Sequence, residues 1–549
     1  MRPVAAIVLS LLLACAASAQ MSEVIEVRVT NVDVVVTDRA GNPITGLTKD
    51  DFQLFENGKA QTITNFYEVR ADAPKIAAAT DPSAAAPAVV PAEVRRRSML
   101  VFVDATSIEP FRRNQAVEAI RKGLNKLLRP GDDAMIVNWN RNVEVVQPFT
   151  ADLGAINKGV DSLKERLSNA ASVVNDRNMT VNYAADCISR VRSSRGRYTM
   201  AQAYSDSIAT WTAYAESIRQ TEKLLIDATG QMLSTLATDE SKKVFIFVGG
   251  ELQDRPGLDV LQQIDSMFQG AGFMPSTPAV LRDTERNLRR ELDVLAHRAA
   301  AQGAAMYMID ASDRRPDASM DYATTAESAF TAESSTMMTM GAIASLTGGS
   351  VLSGTRNYDV ALNNVARDLG SYYSLGYKPV AEGSANRNLA VKVTRPGATV
   401  RSRRAYAVKS ADEQLSDRVI SNVFHEAPKG DFAISVTSGI PQRFDRGNFK
   451  VPVTVTFPST LTYIPEGGDM TGGYTVVFVT ATADGAISQV GKQEGAVRFP
   501  ANSYFSVKAR PFTHTATLVV RQGKQSISVA VVDKLGGRAG YAKVTIDAR

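Results

Sequence analysis

The sequence is poor in cysteine and histidine, and this scarcity limits the chemistry the chain can perform. Its 549 residues include two cysteines, Cys15 and Cys187, and three histidines. Because Cys15 lies in an apolar N-terminal segment, Cys187 has no partner in the body of the chain. We therefore expect no intrachain disulfide, and the fold must rely on core burial. Cys187 is left as a free thiol or as one half of a disulfide to another chain.

Motifs that carry catalysis are also missing from the sequence. No His-x-x-x-His pair, no Gly-x-Ser-x-Gly elbow and no phosphate-binding Walker loop occurs. We interpret His297, next to Arg298 on a predicted helix, as a structural residue, and His425 and His514 in the same way. Gly348-Gly349 follows a predicted helix and is typical of a helix cap. The sequence therefore predicts a protein that is not an enzyme.

Charge and composition are unremarkable for a folded protein. The formal net charge is +5, with 44% apolar and 22% charged residues, so global disorder is excluded. A charge this small over such a length does not indicate nucleic-acid binding. The arginines Arg192, Arg195 and Arg197 stand among serine and glycine, and this pattern is typical of a solvated loop.

The first 19 residues have the pattern of a secretory signal peptide. Arg2 is followed by an apolar run and then by the small residues Ala17-Ser18-Ala19, after which we expect cleavage. An alternative is that Leu12-Leu-Ala-Cys15 acts as a lipobox, so that Cys15 is lipidated. No later apolar run is long enough for a transmembrane helix. Either interpretation places the protein in the periplasm, at the outer membrane or outside the cell.

The rest of the chain divides by its hydrophobic patterns into successive units. The predicted units are an N-terminal β segment at 22–70, an Ala/Pro-rich linker at 71–97, an α/β domain at 98–380 with a helical insertion at about 168–238, a β-hairpin at 381–409 and a C-terminal β-sandwich of immunoglobulin or fibronectin type at 426–549. Since the β segment and the hairpin are each too small to be stable alone, we expect them to pack together beside the α/β domain.

Apolar runs determine the predicted fold of the central domain. Met99-Leu-Val-Phe-Val103 and Val244-Phe-Ile-Phe-Val248 are continuous, as in strands buried on both faces. Strands of this kind alternate with segments of helical periodicity, among them 111–129 and 358–370. This alternation predicts a doubly wound parallel α/β sheet of Rossmann-like type with helices on both faces.

Four stretches of this domain resemble the von Willebrand factor A (vWA) family, in its secreted bacterial VWFA-related branch. They are Met99-Leu-Val-Phe-Val-Asp104-Ala-Thr106, Leu127-Leu-Arg-Pro-Gly131-Asp132-Asp-Ala-Met-Ile-Val137, Ser241-Lys-Lys-Val-Phe-Ile-Phe-Val-Gly-Gly250, and Leu346-Thr-Gly-Gly349 followed by Tyr372-Tyr-Ser-Leu-Gly-Tyr-Lys-Pro379. Their order and spacing carry the likeness, which extends over about residues 24–408. The resemblance implies a vWA-type fold that binds macromolecules.

The resemblance also implies a metal-ion-dependent adhesion site at the carboxyl ends of the strands. The family pattern Asp-x-Ser/Thr-x-Ser becomes Asp104-Ala-Thr106-Ser107-Ile108 here, and Ile108 cannot bind a metal ion. Mg²⁺ prefers several hard oxygen ligands. We expect a degenerate site built from Asp104, Thr106 and Glu251, with no cofactor or a weakly bound Mg²⁺ or Mn²⁺. The remaining candidate ligands are Asp254, Thr180 and Thr199, with Ser107 pointing away.

The function that these features favour is binding of a protein or another envelope macromolecule. Alternatives from other classes are a structural or surface-assembly component of the envelope and a sensor or transport accessory. A hydrolase with an unrecognised site is disfavoured because no constellation of catalytic residues is visible.

Overall fold

A computed structural model describes residues 30–70, 88–91, 96–108, 110–166, 168–237, 241–250, 252–275, 287–311, 326–352, 358–379, 386–407, 409–425 and 430–549. The expected signal peptide with Cys15, most of the linker and the candidate ligand Glu251 lie outside the described residues. Among the helices described, none combines the length and the apolar composition needed to cross a bilayer.

The helices and strands alternate through the middle of the chain, and strands dominate at both ends. The first strands are β1 (Thr30–Thr37), β2 (Phe52–Glu56), β3 (Lys59–Gln61), β4 (Ile63–Arg70) and β5 (Ala88–Pro91). The central elements are β6 (Arg97–Asp104), α1 (Pro110–Leu127), β7 (Asp133–Trp139), β8 (Val143–Thr150), α2 (Leu153–Ser162), α3 (Ala170–Ser193), α4 (Met200–Ser234), β9 (Lys242–Gly249), α5 (Leu258–Gly270), α6 (Arg289–Gln302), β10 (Ala304–Asp310), α7 (Ala326–Thr347), β11 (Val351–Leu352), α8 (Tyr358–Gly370) and β12 (Ser371–Tyr377).

The remaining elements complete the N-terminal sheets and build the C-terminal part. They are β13 (Asn386–Val393), β14 (Thr399–Ser402), β15 (Ala405–Ala407), α9 (Ala411–Phe424), β16 (Ser435–Ser438), β17 (Gln442–Asp445), β18 (Asn448–Phe457), β19 (Ile464–Glu466), β20 (Asp469–Thr482), β21 (Gly491–Pro500), α10 (Tyr504–Lys508), β22 (Phe512–Arg521), β23 (Gly523–Asp533) and β24 (Ala539–Ala548).

A six-stranded sheet forms the centre of the molecule, in the order β11-β10-β9-β6-β7-β8. Numbered in chain order within this sheet, the strands run 3-2-1-4-5-6 from β8 to β11, so the order reverses between β6 and β9. The expectation of a wholly parallel sheet is wrong at one edge, because β8 is antiparallel to β7. A three-residue turn at 140–142 joins these two strands, and so short a connection permits only a hairpin.

Helices cover both faces of the six-stranded sheet. On one face, α1, α2 and α8 pack on the residues of β6 and β9 typified by Val101 and Ile246. On the other, α4, α6, α7 and α9 pack on Phe102, Phe245 and Phe247. Burial on both faces explains why these strands are apolar without interruption.

The strand β12 does not belong to the central sheet, to which the sequence pattern assigned it. It lies between β1 and β4 in a five-stranded sheet of order β14-β1-β12-β4-β5. Alternate side chains, Tyr373, Leu375 and Tyr377, share a core with Val32 and Val34 of β1. The N-terminal strands thus reach stability by pairing with a strand more than 300 residues later in the chain.

The hairpin expected at 381–409 is also different from the prediction. The strand β14 pairs with β1, whereas β13 pairs with β15 and with β2 of the N-terminal segment. The side chain of Val400 in β14 packs on the core that holds Val34 and Val36. A lone hairpin buries too little apolar surface to be stable, so its second strand is better placed against a larger sheet. Residues 388–408 therefore pack on the N-terminal strands as expected, but β14 pairs with β1 and does not complete a hairpin with β13.

Helices α3 and α4 occupy the range of the expected helical insertion at about 168–238, whereas two other helices, α5 and α9, were not predicted. The start of α9 carries a capping box in which Ser410 Oγ accepts from Glu413 N at 3.2 Å. That Ser-x-x-Glu pattern is visible in the sequence and indicates a helix N-terminus.

The C-terminal part consists of two sheets with a shared core. One contains β16, β17, β18 and β22, and the other contains β19, β20, β21, β23 and β24. Inward residues of β18 and β20, such as Val453 and Phe478, pack between the sheets. The opposite side of β20, at Val477 and Val479, packs in the same cluster as α9 and the central sheet. Residues 476–479 are therefore buried on both faces.

Candidate functional site

The candidate site lies at the carboxyl edge of the central sheet, where the strand order reverses. Asp104 ends β6, and Trp139 and Gly249 end the neighbouring strands β7 and β9. Open α/β sheets bind ligands in the crevice at such a reversal. A Cβ at position 249 would lie 2.8 Å from the Cβ of Asp104, so glycine permits the close approach of these two strand ends.

Asp104 is fully buried, and its two carboxylate oxygens have different surroundings. Its Oδ1 accepts hydrogen bonds from Thr106 N at 2.9 Å and from Thr106 Oγ1 at 2.6 Å. Its Oδ2 has no hydrogen-bond partner among the described residues. Burial raises the pKa of Asp104, and hydrogen bonds with Ser107 and Thr106 offset part of this effect. An unsatisfied buried oxygen is costly, and it marks the place where a ligand group or water would be stabilised.

A small cavity lies over this oxygen and is closed by the predicted insertion. Its volume is about 10 Å³, close to the space that one water molecule needs. The sheet contributes Asp104, Thr106, Trp139 and the loop residue Arg141, whereas the insertion contributes residues of α3 and α4. The insertion residues are Val173, Ile218, Thr221, Glu222 and Leu225.

Glu222 is the residue of this site that the sequence analysis missed. It is 3% exposed, and its Oε2 accepts from Gln253 N at 3.1 Å. A signal was present, since Glu222 lies four residues after Ile218 and three before Leu225, on the apolar face of a predicted helix. A carboxylate at such a position is rarely tolerated without a purpose.

The cavity is also lined by Trp139 and Arg141, together with the apolar side chains of the insertion. Trp139 Nε1 is buried and has no partner among the described residues. Arg141 is exposed and adopts a left-handed backbone conformation with φ of 65°, which is uncommon outside glycine, asparagine and aspartate. The site thus combines carboxyl oxygens, hydroxyl groups and one indole N–H.

Several predicted ligands are not in this cavity. Ser107 Oγ donates to the Asp104 carbonyl at 3.3 Å and accepts from Gly250 N at 2.8 Å, and Ile108 is buried in the core. Asp254 accepts from Ser335 Oγ at 2.7 Å. These side chains bond to the local backbone and its neighbours, and none of the three lines the cavity.

Neither candidate threonine, Thr180 or Thr199, lines the cavity. Thr180 Oγ1 donates to the carbonyl of Asp176 within α3, and Thr199 caps the N-terminus of α4. Hydroxyl groups in helices and at N-caps satisfy nearby backbone groups in this way. The threonine that does line the cavity is Thr221.

Among the described residues, the cavity leaves little space for a hydrated divalent ion. Mg²⁺ requires near-octahedral coordination and retains several waters, and a space of about 10 Å³ cannot hold them. Across the described ranges there is no group of three or more His, Cys, Asp or Glu side chains that could hold a metal ion.

The three histidines and Cys187 lie apart from this edge. His425 stacks on Phe149 with ring centroids 3.9 Å apart, and His514 Nε2 is 2.7 Å from Gln493 Oε1 in the C-terminal sheets. His297 lies on α6. Cys187 is buried among α3, α4 and α5, with Arg190 donating to its Sγ at 2.8 Å.

Comparisons with known proteins give little further information. No family model and no curated protein matches the sequence. Solved structures with some likeness include an aerotolerance-related membrane protein from Bacteroides fragilis carrying multiple mutations to serine (9% identity, 50% of this chain and 98% of that chain, TM-score 0.24). Two more are a β-glucuronidase from Bacteroides uniformis (6%, 34% and 20%, TM-score 0.16) and a human COPII-coat protein (10%, 60% and 47%, TM-score 0.21).

These likenesses carry no argument about function, because their TM-scores are low. The chain spans only part of the length of the last two proteins. At this level the fold defines a mixed α/β protein with several sheets, one of them largely parallel.

Proposed function

We propose that this chain is an exported binding protein without catalytic activity, in which a vWA-like α/β unit recognises a macromolecular partner. The observation that carries the proposal is the position of Asp104. Its unpartnered Oδ2 lies at the reversal of strand order, the place where open α/β sheets bind ligands. The likeness of sequence motifs to the vWA family supports the same assignment.

The two-helix insertion, α3 and α4, gives this binding surface its particular form. Because α4 covers the cavity, a partner meets the insertion before it can reach Asp104. Met179 on α3 and Leu224 on α4 are 55% and 54% exposed, so each helix of the insertion presents a large apolar side chain to solvent. We infer that the outer side of this insertion contacts the partner.

The absence of catalysis is part of the proposal and rests on the separation of reactive groups. A nucleophile and its base must lie within hydrogen-bond reach of each other. Here the buried Asp104 shares its cavity with Thr106, Thr221 and Glu222. The three histidines, His297, His425 and His514, lie in other parts of the fold. By the same reasoning we propose no tightly held cofactor, and at most weak binding of Mg²⁺ or Mn²⁺.

A pull-down from envelope extract tests the proposal, with Met179→Asp as the test variant. The matched control is Val360→Asp, since Val360 is 43% exposed on α8, which packs on the opposite face of the central sheet. We expect the wild type and the control to retain one partner that Met179→Asp loses. Equal retention by all three proteins would contradict the role of the insertion.

A screen with esterase, peptidase, glycosidase and phosphatase substrates tests the absence of catalysis. We expect no turnover with any of them. Turnover that disappears in His297→Ala, His425→Ala or His514→Ala would show instead that the chain is a hydrolase.

A further inference from the structure

The two ends of the C-terminal sandwich expose similar apolar groups but differ in charge balance. One end, which we call the β17 end, contains residues 439–450 and 519–524. The other, the α10 end, contains residues 457–466, 498–512 and 533–538. Strands β18 and β22 run between them, since Asn448 pairs with Arg521 and Phe457 pairs with Phe512.

Positive charge is left unbalanced at the β17 end. Its five cations are exposed, and none of them forms an ion pair with any residue that the structure describes: Arg443, Arg446, Lys450, Arg521 and Lys524. Two carboxylates lie at this end: Asp445, which accepts from Asn448 Nδ2 at 2.7 Å, and Asp547, which is opposite Lys524 across the strands and pairs with Arg549 at 2.7 Å. Uncompensated charge of one sign attracts a partner of the opposite sign.

At the α10 end, by contrast, three of the five cations are paired, whereas the exposed Lys508 and Arg510 form no ion pair with the described residues. Arg498 bonds to Asp469 at 2.7 Å, and Lys534 bonds to Glu494 at 2.6 Å. Arg538 lies 3.5 Å from Asp533. The attraction of this end for an anionic partner is therefore smaller.

Apolar side chains lie among the free cations of the β17 end. Ile440 is 84% exposed, Val519 is 53% exposed and Phe444 is 51% exposed. Lys450 pairs with Val519 across the strands, and its Nζ lies 4.2 Å from the ring centroid of Phe444. Cations and apolar groups thus share one outward surface.

We propose that the β17 end docks on the surface of an anionic phospholipid bilayer. The phosphate headgroups bind the free arginines and lysines, while Phe444 and Ile440 enter the boundary between headgroups and acyl chains. A lipid surface offers both a negative charge and an apolar layer at the same depth, whereas an acidic polymer offers the charge alone. The combination at this end therefore favours a bilayer.

The experiment measures binding of the full chain to vesicles of phosphatidylcholine alone and of phosphatidylcholine mixed with phosphatidylglycerol. The test variants are Arg443→Gln/Arg521→Gln and Phe444→Ser. The matched controls at the α10 end are Lys508→Gln/Arg510→Gln and Phe505→Ser, where Phe505 is 83% exposed. All proteins carry the same N-terminal segment, so differences between them report the sandwich alone.

We expect binding to the mixed vesicles to exceed binding to the neutral ones and to weaken as salt is raised. Each basic residue near an anionic surface strengthens binding about fivefold, so the double test variant should lose roughly 20-fold or more. Phe444→Ser should weaken binding as well, and both controls should leave it unchanged.

Three results would overturn the proposal. The first is equal binding to neutral and mixed vesicles by every variant. The second is an equal loss in the α10-end controls, which would remove the β17 end as the binding surface. The third is binding of polyglutamate as tight as that of the mixed vesicles, with no effect of Phe444→Ser, which would indicate an acidic polymer or protein instead.

Discussion

The two edges of the central sheet hold buried charge in different ways. At the amino edge Arg97 and Asp132 are 2% and 5% exposed, and Asp132 accepts from Arg97 N, Arg97 Nε and Arg129 N, each at 2.9 Å. At the carboxyl edge Asp104 is equally buried, but one of its oxygens has no partner among the described residues. The Arg97–Asp132 pair stabilises the fold. Asp133 Oδ1 at the amino edge also lacks a partner among the described residues, so what distinguishes Asp104 is that it lines a cavity at the reversal of strand order.

His425 extends the amino edge to the C-terminal sheets. Its ring stacks on Phe149, its Nε2 lies 3.2 Å from the carbonyl of Thr235, and its Nδ1 lies 3.7 Å from Asp133 Oδ2. Lys543 of β24 donates to the carbonyl of His425 at 2.8 Å. Loss of these contacts would loosen the junction between the central sheet and the sandwich.

The largest effect that separates the two edges is expected from Asp132→Ala. Removal of this carboxylate leaves Arg97 buried without its partner, which should lower the free energy of unfolding by about 3–5 kcal/mol. Urea unfolding measures the change. The control Asp161→Ala removes an exposed ion pair with Lys164 and should cost no more than about 1 kcal/mol. Similar losses in both variants would contradict the structural role of the amino edge.

His425 should make the amino edge sensitive to acid. Burial lowers its pKa to about 4, although the charge of Asp133 acts in the opposite direction. The neutral ring is therefore favoured in the folded state, and its contribution is present above about pH 6.5 and lost as the pH falls towards 4. The loss is on the order of 3 kcal/mol at full protonation.

In the variant His425→Gln, the free energy of unfolding should depend less on pH between about pH 6.5 and pH 4. Urea unfolding across the range measures it, and His514→Gln is the comparison because burial lowers the pKa of His514 as well. If stability falls at low pH in His425→Gln as it does in the wild type, other groups control the pH dependence.

The carboxyl edge should respond to pH in the opposite direction. Because burial raises the pKa of Asp104, the protonated form stabilises the fold at low pH, and this contribution is lost as the pH rises through the folded-state pKa. Asp104→Asn keeps an acceptor for Thr106 without the charge. We expect the variant to gain about 1–3 kcal/mol at neutral pH and nothing at low pH. A loss of stability at pH 7 would mean that the charge of Asp104 is already compensated.

The smallest expected effect is that of divalent ions. Because the cavity has no room for a hydrated ion, the melting temperature should barely differ between EDTA and excess Mg²⁺ or Mn²⁺. Thermal unfolding monitored by circular dichroism measures this difference. A clear rise with metal that disappears in Asp104→Asn would show that α4 moves aside and that the edge holds an ion.

Much of the fold was predictable because burial leaves a local pattern. The apolar runs of β6 and β9 predicted central strands, and the helical periodicity of 111–129 and 358–370 predicted α1 and α8 close to their observed bounds. A strand at Val143–Val146 was predicted as well, but periodicity does not show strand direction, so the antiparallel pairing of β8 with β7 was not predicted. Helix α9 was missed although its capping box is visible in the sequence.

The candidate site was predictable only in part. Asp104 and Thr106 follow a buried strand, and this position alone predicts the carboxyl edge of a sheet. Glu222 comes from an insertion more than 100 residues later, and nothing local shows which part of the sheet α4 covers. The prediction of Glu251 as a ligand stays untested, because that residue lies outside the described ranges.

The sequence by itself determined most of the central strands and helices, and that one carboxylate ends a central strand, since periodicity and burial are properties of neighbouring residues. Only the tertiary structure decided that β12 joins β1, that β14 leaves its hairpin and that α4 closes the cavity over Asp104. These outcomes depend on which apolar faces find each other across hundreds of residues. Several pairings satisfy the same local pattern, and the one that buries the most apolar surface is selected.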